Sequence, residues 1–197
     1  MKLFYSPASP FVRKVMACAI ARDIAGRIER VTTNAQASPP ELLAANPLSR
    51  VPALVTDDGI ALFDSPVICE FLDSLGEAPP LFPVTAKARW RALTQQALGD
   101  GVMDAAVARR GESLRPVEDA RAALMDRQRA AVTRSLDLLE RDLPHRVADI
   151  GTLTIACALG YLDFRYAHEP WRDGHPQLAA WFTAVGQWPA LAQTAPG

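Results

Sequence analysis

Cysteine is scarce. The 197 residues hold three, Cys18, Cys69 and Cys157, far apart in sequence, with no CxxC and no Cys/His ligand spacing. They read as buried thiols in a reducing compartment. His145, His168 and His175 are equally scattered and offer no metal geometry, so no metal is expected. No apolar run approaches the roughly 18 to 20 residues that span a bilayer, and the chain enters "MKLFYS" without the apolar stretch of a secretion signal. A soluble, cytoplasmic protein without a membrane partner is expected. Excess charge is missing too: 21 basic residues face 22 acidic ones, and the pI is near 6.3. That argues against a nucleic-acid partner, which needs a positive field. Repeats, low-complexity tracts and charge blocks are absent. What remains is a chain that is 49% hydrophobic, enough for one large or two small domains.

The first 75 or so residues alternate between strand and helix patterns. "KLFYS" reads as a strand. A helix follows, with Val12, Val15, Met16 and Ala19 on its apolar face and Arg13, Lys14 and Arg22 on its solvated side. "RIERVT" at 27–32 is a second strand. "SPPELLAAN" is a short helix capped by Ser38 and ending near Asn46. "VPALVT" and "IALFD" flank the turn "DDG" as a hairpin. "SPVICEFLDSLG" pairs a Ser65 cap with Pro66 and stops at Gly76. The order is β-α-β-α-β-β-α.

Residues 77–85, "EAPPLFPVT", carry three prolines and cannot continue a helix, so the boundary falls there. Beyond it every segment is helical. One helix spans about 86–112 and a second about 117–143, with Val132, Leu136, Leu139 and Leu143 in helical register. A third, "TLTIACALGYLDFRYA", is apolar nearly all round and belongs in the middle of its domain. "PQLAAWFTAVGQW" forms a fourth, ending before Pro189. The expected organisation is an α/β domain over 1–76, a linker over 77–85 and an all-α domain over 86–197.

Besides Ser38, two more serines stand directly before proline at helix starts. Ser65 can donate its hydroxyl and offer free backbone N–H groups to a carboxylate, because helix N-termini favour anions. Ser9, before Pro10 and Phe11, has the same geometry. A simple N-cap accounts for both equally well.

Four ordered landmarks, "SPFVRK", "NPLSRVPAL" at 46–54, "FDSPVICEFL" at 63–72 and "HPQLAAWFTAVGQWPAL", resemble those of the glutathione transferase superfamily over nearly the whole chain. The resemblance implies a thioredoxin-like βαβαββα domain followed by a helical domain, with glutathione as cosubstrate. It implies a cis Pro52, with Val51 pairing its main chain to the ligand's cysteinyl amide. Asp64 would accept from the ligand's ammonium, Ser65 would hold the γ-glutamyl carboxylate, and Arg50 would meet the glycine carboxylate or remain a solvated surface residue. Superfamily members carry Tyr, Ser or Cys at the turn after the first strand, and Ser9 resembles the serine type. A hydroxyl hydrogen-bonds the sulfur and stabilises its thiolate, which points to conjugation or peroxide-type chemistry rather than thiol exchange. Ser6 and Tyr5 are rivals for that role; the strand setting of Tyr5 favours core packing.

The same resemblance places Met103, Ala106, Val107 and Arg110 toward the pocket for a small hydrophobic electrophile. It implies a homodimer in which the N-terminal domain of one chain packs on the helical domain of the other, with Asp100 or Asp104 near the neighbouring glutathione. Tyr161, Asp163 and Arg165 form a structural cluster or reach the site. Where many relatives have Ser/Thr-x-x-Asp ahead of the central helix, Asp149 and Thr152 stand here, a weaker capping box. The alternative to catalysis is a glutathione-binding or protein-interaction module on the same scaffold.

Overall fold

The computed structural model describes residues 1–196. The chain forms two compact units, one made of Met1–Arg89 with the segment from Trp188 onward, the other of Trp90–Gln187. Among the described residues no helix is long and apolar enough to cross a membrane.

The first unit is built on a four-stranded sheet, β1 (Lys2–Tyr5), β2 (Glu29–Thr32), β3 (Ala53–Val55) and β4 (Ala61–Leu62), in the order β2-β1-β3-β4. β1 pairs parallel with β2 and antiparallel with β3, which pairs antiparallel with β4. Alternation along the strands sorts the side chains. Phe4 and Val31 pack with Leu42 and Ala45 of α2 (Pro40–Ala45) on one face. The other face is covered by α1 (Pro10–Ala21) and α3 (Ser65–Leu75), which pack on each other. The hairpin turns at Gly59, whose φ of 88° suits a residue without a Cβ.

Several local expectations are corrected. Ser38 does not cap α2: it closes a 3-10 turn over Ala35–Ala37 in the left-handed conformation, its hydroxyl is bonded to that of Ser49, and Pro39 occupies the cap. Ser65 is the first residue of α3, while Asp64 sits at its N-cap without a side-chain cap bond. The basic residues of α1 are not on a solvated side. Lys14 is fully buried, and Arg22 is 4% exposed because it pairs with Asp73 at 2.9 Å and donates to the Asp73 and Gly76 carbonyls. A further short helix, α8 (Pro189–Ala192), follows the last predicted one and packs on α1, where Arg13 Nη2 donates to the Leu191 carbonyl.

The second unit consists mainly of α4 (Ala86–Ser113), α5 (Asp119–Arg141), α6 (Ile150–Arg165) and α7 (Pro176–Val185). Residues 150–162 of α6 are all buried, as its all-round apolarity predicts. Close approach to α4 depends on glycine: a Cβ on Gly99 would lie 2.9 Å from Thr154 Cγ2 and 3.0 Å from the Thr154 backbone carbon. Asp149 caps α6 by accepting from the Thr152 amide at 2.8 Å, and Thr152 donates its hydroxyl to the His145 carbonyl instead of reaching back. The loop after α6 is tied down by Arg109, 2% exposed, which donates to both carboxylate oxygens of Glu169 at 2.6 and 2.8 Å and lies over the Tyr166 ring.

Candidate glutathione-type site at the sheet rim

Sheet register brings three separate segments to one rim. Extending the pairings Phe4 with Ala53 and Leu54 with Leu62 by one and two positions sets Tyr5, Pro52 and Asp64 in a row across β1, β3 and β4. Such a row spans about 10 Å. Beyond it lie the Ser6–Ser9 turn, Val51 and the start of α3, so α1 and α3 both begin at this end of the sheet.

At the start of α1, Ser9 adopts extended backbone geometry, and its Oγ accepts from the Val12 amide at 3.3 Å while its carbonyl accepts from Arg13. Capping uses the oxygen as an acceptor and leaves the O–H free to donate. Pro10 has no N–H, so Phe11 carries the open amide of the first turn. At the start of α3, Pro66 again lacks a donor and Ile68 bonds to the Asp64 carbonyl, which leaves the Ser65 and Val67 amides without partners among the described residues. Ser65 is 2% exposed, and its hydroxyl has no hydrogen bond among those residues either. Two helix N-termini and a buried hydroxyl therefore face one rim, a favourable setting for carboxylate and thiolate.

The peptide bonds Val51–Pro52 and Phe63–Asp64 are cis. Val51 is half-buried and precedes the first β3 pairing, so its main-chain N–H and C=O are open. Asn46 shapes this loop by donating from Nδ2 to the Arg50 carbonyl at 3.0 Å and accepting from the Leu48 amide. Arg50 and Asp64 are exposed, and neither has a side-chain partner among the described residues. The rim thus offers donors, an extended main-chain slot, one carboxylate and one guanidinium.

The rim does not contain a thiolate of its own. Cys18, in the α1/α3 interface, donates to the Cys69 carbonyl at 3.5 Å. Its thiol is pushed well above its usual pKa by hydrogen bonding to the Cys69 side chain and by burial. Tyr5 is half-buried at the end of β1 with the Arg30 guanidinium 5.6 Å from its ring centre. The free backbone N–H groups expected from sequence at the Ser65 helix start are the Ser65 and Val67 amides, and the corresponding open amide after Ser9 is that of Phe11. In the second unit, Met103 and Ala106 are buried and Val107 and Arg110 exposed. Asp163 accepts from the Trp171 indole and from Arg172, and burial raises the Tyr161 phenol against the opposing pull of Arg165 and Arg110.

Residues 8–75 match the model of the glutathione S-transferase N-terminal domain and residues 122–184 that of its C-terminal domain. The uncharacterized GST-like protein YibF of Escherichia coli K12 is 34% identical over all of this chain and 98% of its own. A glutathione transferase family member from Pseudomonas fluorescens Pf-5, solved with bound glutathione, is 41% identical with a TM-score of 0.91, covering 100% of this chain and 98% of that one. The same description, with bound S-(propanoic acid)-glutathione, applies to a structure at 40% identity and TM-score 0.88, covering all of both chains. A glutathione S-transferase from Methylobacillus flagellatus KT with bound glutathione is 33% identical with a TM-score of 0.89, covering 100% and 99%.

Proposed function

The chain belongs to the glutathione S-transferase family, and on that premise we propose that it binds glutathione along the sheet rim and activates the thiol for attack on a small electrophile or peroxide. The observation that carries this reading is the convergence of Ser9, the open Val51 main chain and the unpartnered Ser65 and Val67 amides at one end of the sheet. Relatives at 33–41% identity hold glutathione, and one holds it with a substituent on sulfur.

In this reading Val51 pairs with the ligand's cysteinyl amide, Ser65 and its helix terminus take the γ-glutamyl carboxylate, Asp64 accepts from the ammonium, and Arg50 faces the glycine carboxylate. Ser9 donates its free O–H to the sulfur. The thiol has a pKa of about 8.5, and lowering it by two units takes about 2.7 kcal/mol at 1.36 per unit. One hydrogen bond to a charged group supplies about 1.5–3 kcal/mol, and the N-terminus of α1 about 0.3–1 more. Ser9 and its helix suffice. The thiolate then attacks without a further base.

Isothermal calorimetry with glutathione, followed by turnover of an aromatic halide and a hydroperoxide, tests the proposal. Binding with turnover supports it. Binding without turnover across both substrate types indicates the non-catalytic module, and no binding at millimolar glutathione removes the reading. We also propose a two-fold homodimer, the commonest closed assembly. Light scattering at micromolar concentration should give about twice the 21.4 kDa chain mass, and the chain mass itself would rule the dimer out.

A further inference from the structure

Four hydrogen bonds meet at one buried residue of the loop that leads into the rim. Asn46, 1% exposed, closes α2 by donating its N–H to the Leu42 carbonyl at 2.7 Å, and its own carbonyl accepts from the Ser49 amide at 2.9 Å. Its side chain accepts from the Leu48 amide through Oδ1 and donates from Nδ2 to the Arg50 carbonyl, each at 3.0 Å. These partners fix which way the side-chain amide points: the backbone N–H needs its oxygen and the backbone C=O needs its nitrogen. Ser49 is anchored separately, donating its hydroxyl to the Ala35 carbonyl at 2.9 Å.

The Nδ2 bond falls on one particular peptide. The Arg50 carbonyl belongs to the same planar unit as the Val51 N–H, and in a trans peptide the two point in opposite directions. Holding the carbonyl against a buried side chain therefore turns the N–H away from that side chain, and this N–H has no partner among the described residues. A donor on the carbonyl also polarises the N–H, and such chains strengthen each bond by about 10–30%. Aspartate in the same place would still accept from Leu48, but it would set a carboxylate oxygen against the Arg50 carbonyl.

On the reading that glutathione lies along the rim, we infer that Asn46 is the positioning residue of the cysteinyl slot: its bond to the Arg50 carbonyl aims the Val51 N–H at the ligand's cysteinyl carbonyl. Asn46 touches no ligand atom itself. Its effect belongs to the cysteinyl part of the ligand, not to the glycine carboxylate assigned to the Arg50 side chain or to the sulfur assigned to Ser9.

Asn46→Asp keeps the acceptor and loses the donor, and it is tested beside Asn46→Ala, both checked for folding by circular dichroism. The calorimetric Kd and the KM for glutathione should rise about fivefold or more in each, the loss of one well-placed hydrogen bond. Turnover at saturating glutathione and the thiol pKa of the bound ligand should not change. γ-Glutamylcysteine, which lacks the glycine, should lose affinity by the same factor. Ser49→Ala loosens the same loop without touching the Arg50–Val51 peptide, so it should leave the Kd nearly unchanged. In the parent protein, glutathione should shift the Val51 amide proton and the Asn46 Nδ2 protons together in a nitrogen–proton correlation spectrum, a readout that needs no variant to fold. A smaller rise in Kd for Asn46→Asp, a loss confined to glutathione, a comparable loss in Ser49→Ala, or Asn46 resonances that stay still would each overturn the inference. Failure of the parent to bind glutathione would remove the rim reading and this one with it, whereas unimpaired binding by Asn46→Asp removes this one alone.

Discussion

Arg22 Nε lies 2.9 Å from Asp73 Oδ1, and this buried pair joins the C-terminal ends of α1 and α3, the two helices whose opposite ends carry Ser9 and Ser65. Asp73 also accepts from the Leu81 and Phe82 amides, and a Cβ on Gly76 would come within 2.5 Å of the Arg22 carbonyl. The helices are thus fixed relative to each other at the end remote from the rim. Removing one partner leaves an uncompensated buried charge, which costs about 3–5 kcal/mol. Asp73→Ala should therefore lower the urea midpoint sharply, whereas Asp57→Ala, at the exposed N-terminal amine pair, should barely move it.

Glu169 gives the second unit an acid-sensitive anchor. Burial would raise its carboxyl pKa, but the hydrogen bond and charge of Arg109, with Arg129 and His168 adding to them, bring it below its ordinary 4.5. A depressed folded-state pKa contributes stability that is present above the unfolded value and lost as pH falls through the folded one. Thermal stability should decline below about pH 4.5, and Glu169→Gln should be less stable at neutral pH and flatter over the acid limb. Equal slopes for both proteins would contradict the assignment.

Gly99 is where α4 meets α6. An added Cβ would press on Thr154 backbone as well as its methyl group, so neither helix can yield locally. Gly99→Ala should destabilise by about 1–3 kcal/mol despite its better helix propensity. Gly101→Ala, with nothing within 4 Å of its Cβ, should be neutral or stabilising. Denaturant melts of the two variants decide it.

Ser65→Ala should raise the glutathione KM about tenfold or more, the loss of one hydrogen bond to a charged group, while leaving the thiol pKa of the bound ligand unchanged. A shifted thiol pKa with unchanged KM would reverse the roles assigned to Ser65 and Ser9.

Much of this architecture was legible because its signals are local. The alternating strand pattern, the "DDG" turn and the all-round apolarity of α6 each dictate their element without reference to the rest. The buried cations of α1 were not legible: Arg22 reads as a surface residue until Asp73, 51 positions later, is brought beside it. Likewise Ser65 and Ser9 look identical in sequence. Only the folded chain shows that Ser9 spends its oxygen on capping α1, whereas the Ser65 hydroxyl has no cap bond and Asp64 takes the cap position. α8 was missed because four residues between Pro189 and Ala192 carry no period, and its place is set by packing on α1.

The central claim is that Ser9 stabilises the thiolate of bound glutathione. Ultraviolet titration of the thiolate in the binary complex measures this directly, for the parent protein, Ser9→Ala and Ser6→Ala. The thiol pKa in the parent should lie about two units below that of free glutathione, rise by about one to two units in Ser9→Ala, and stay unchanged in Ser6→Ala. An unchanged pKa in Ser9→Ala, with glutathione still bound, would contradict it.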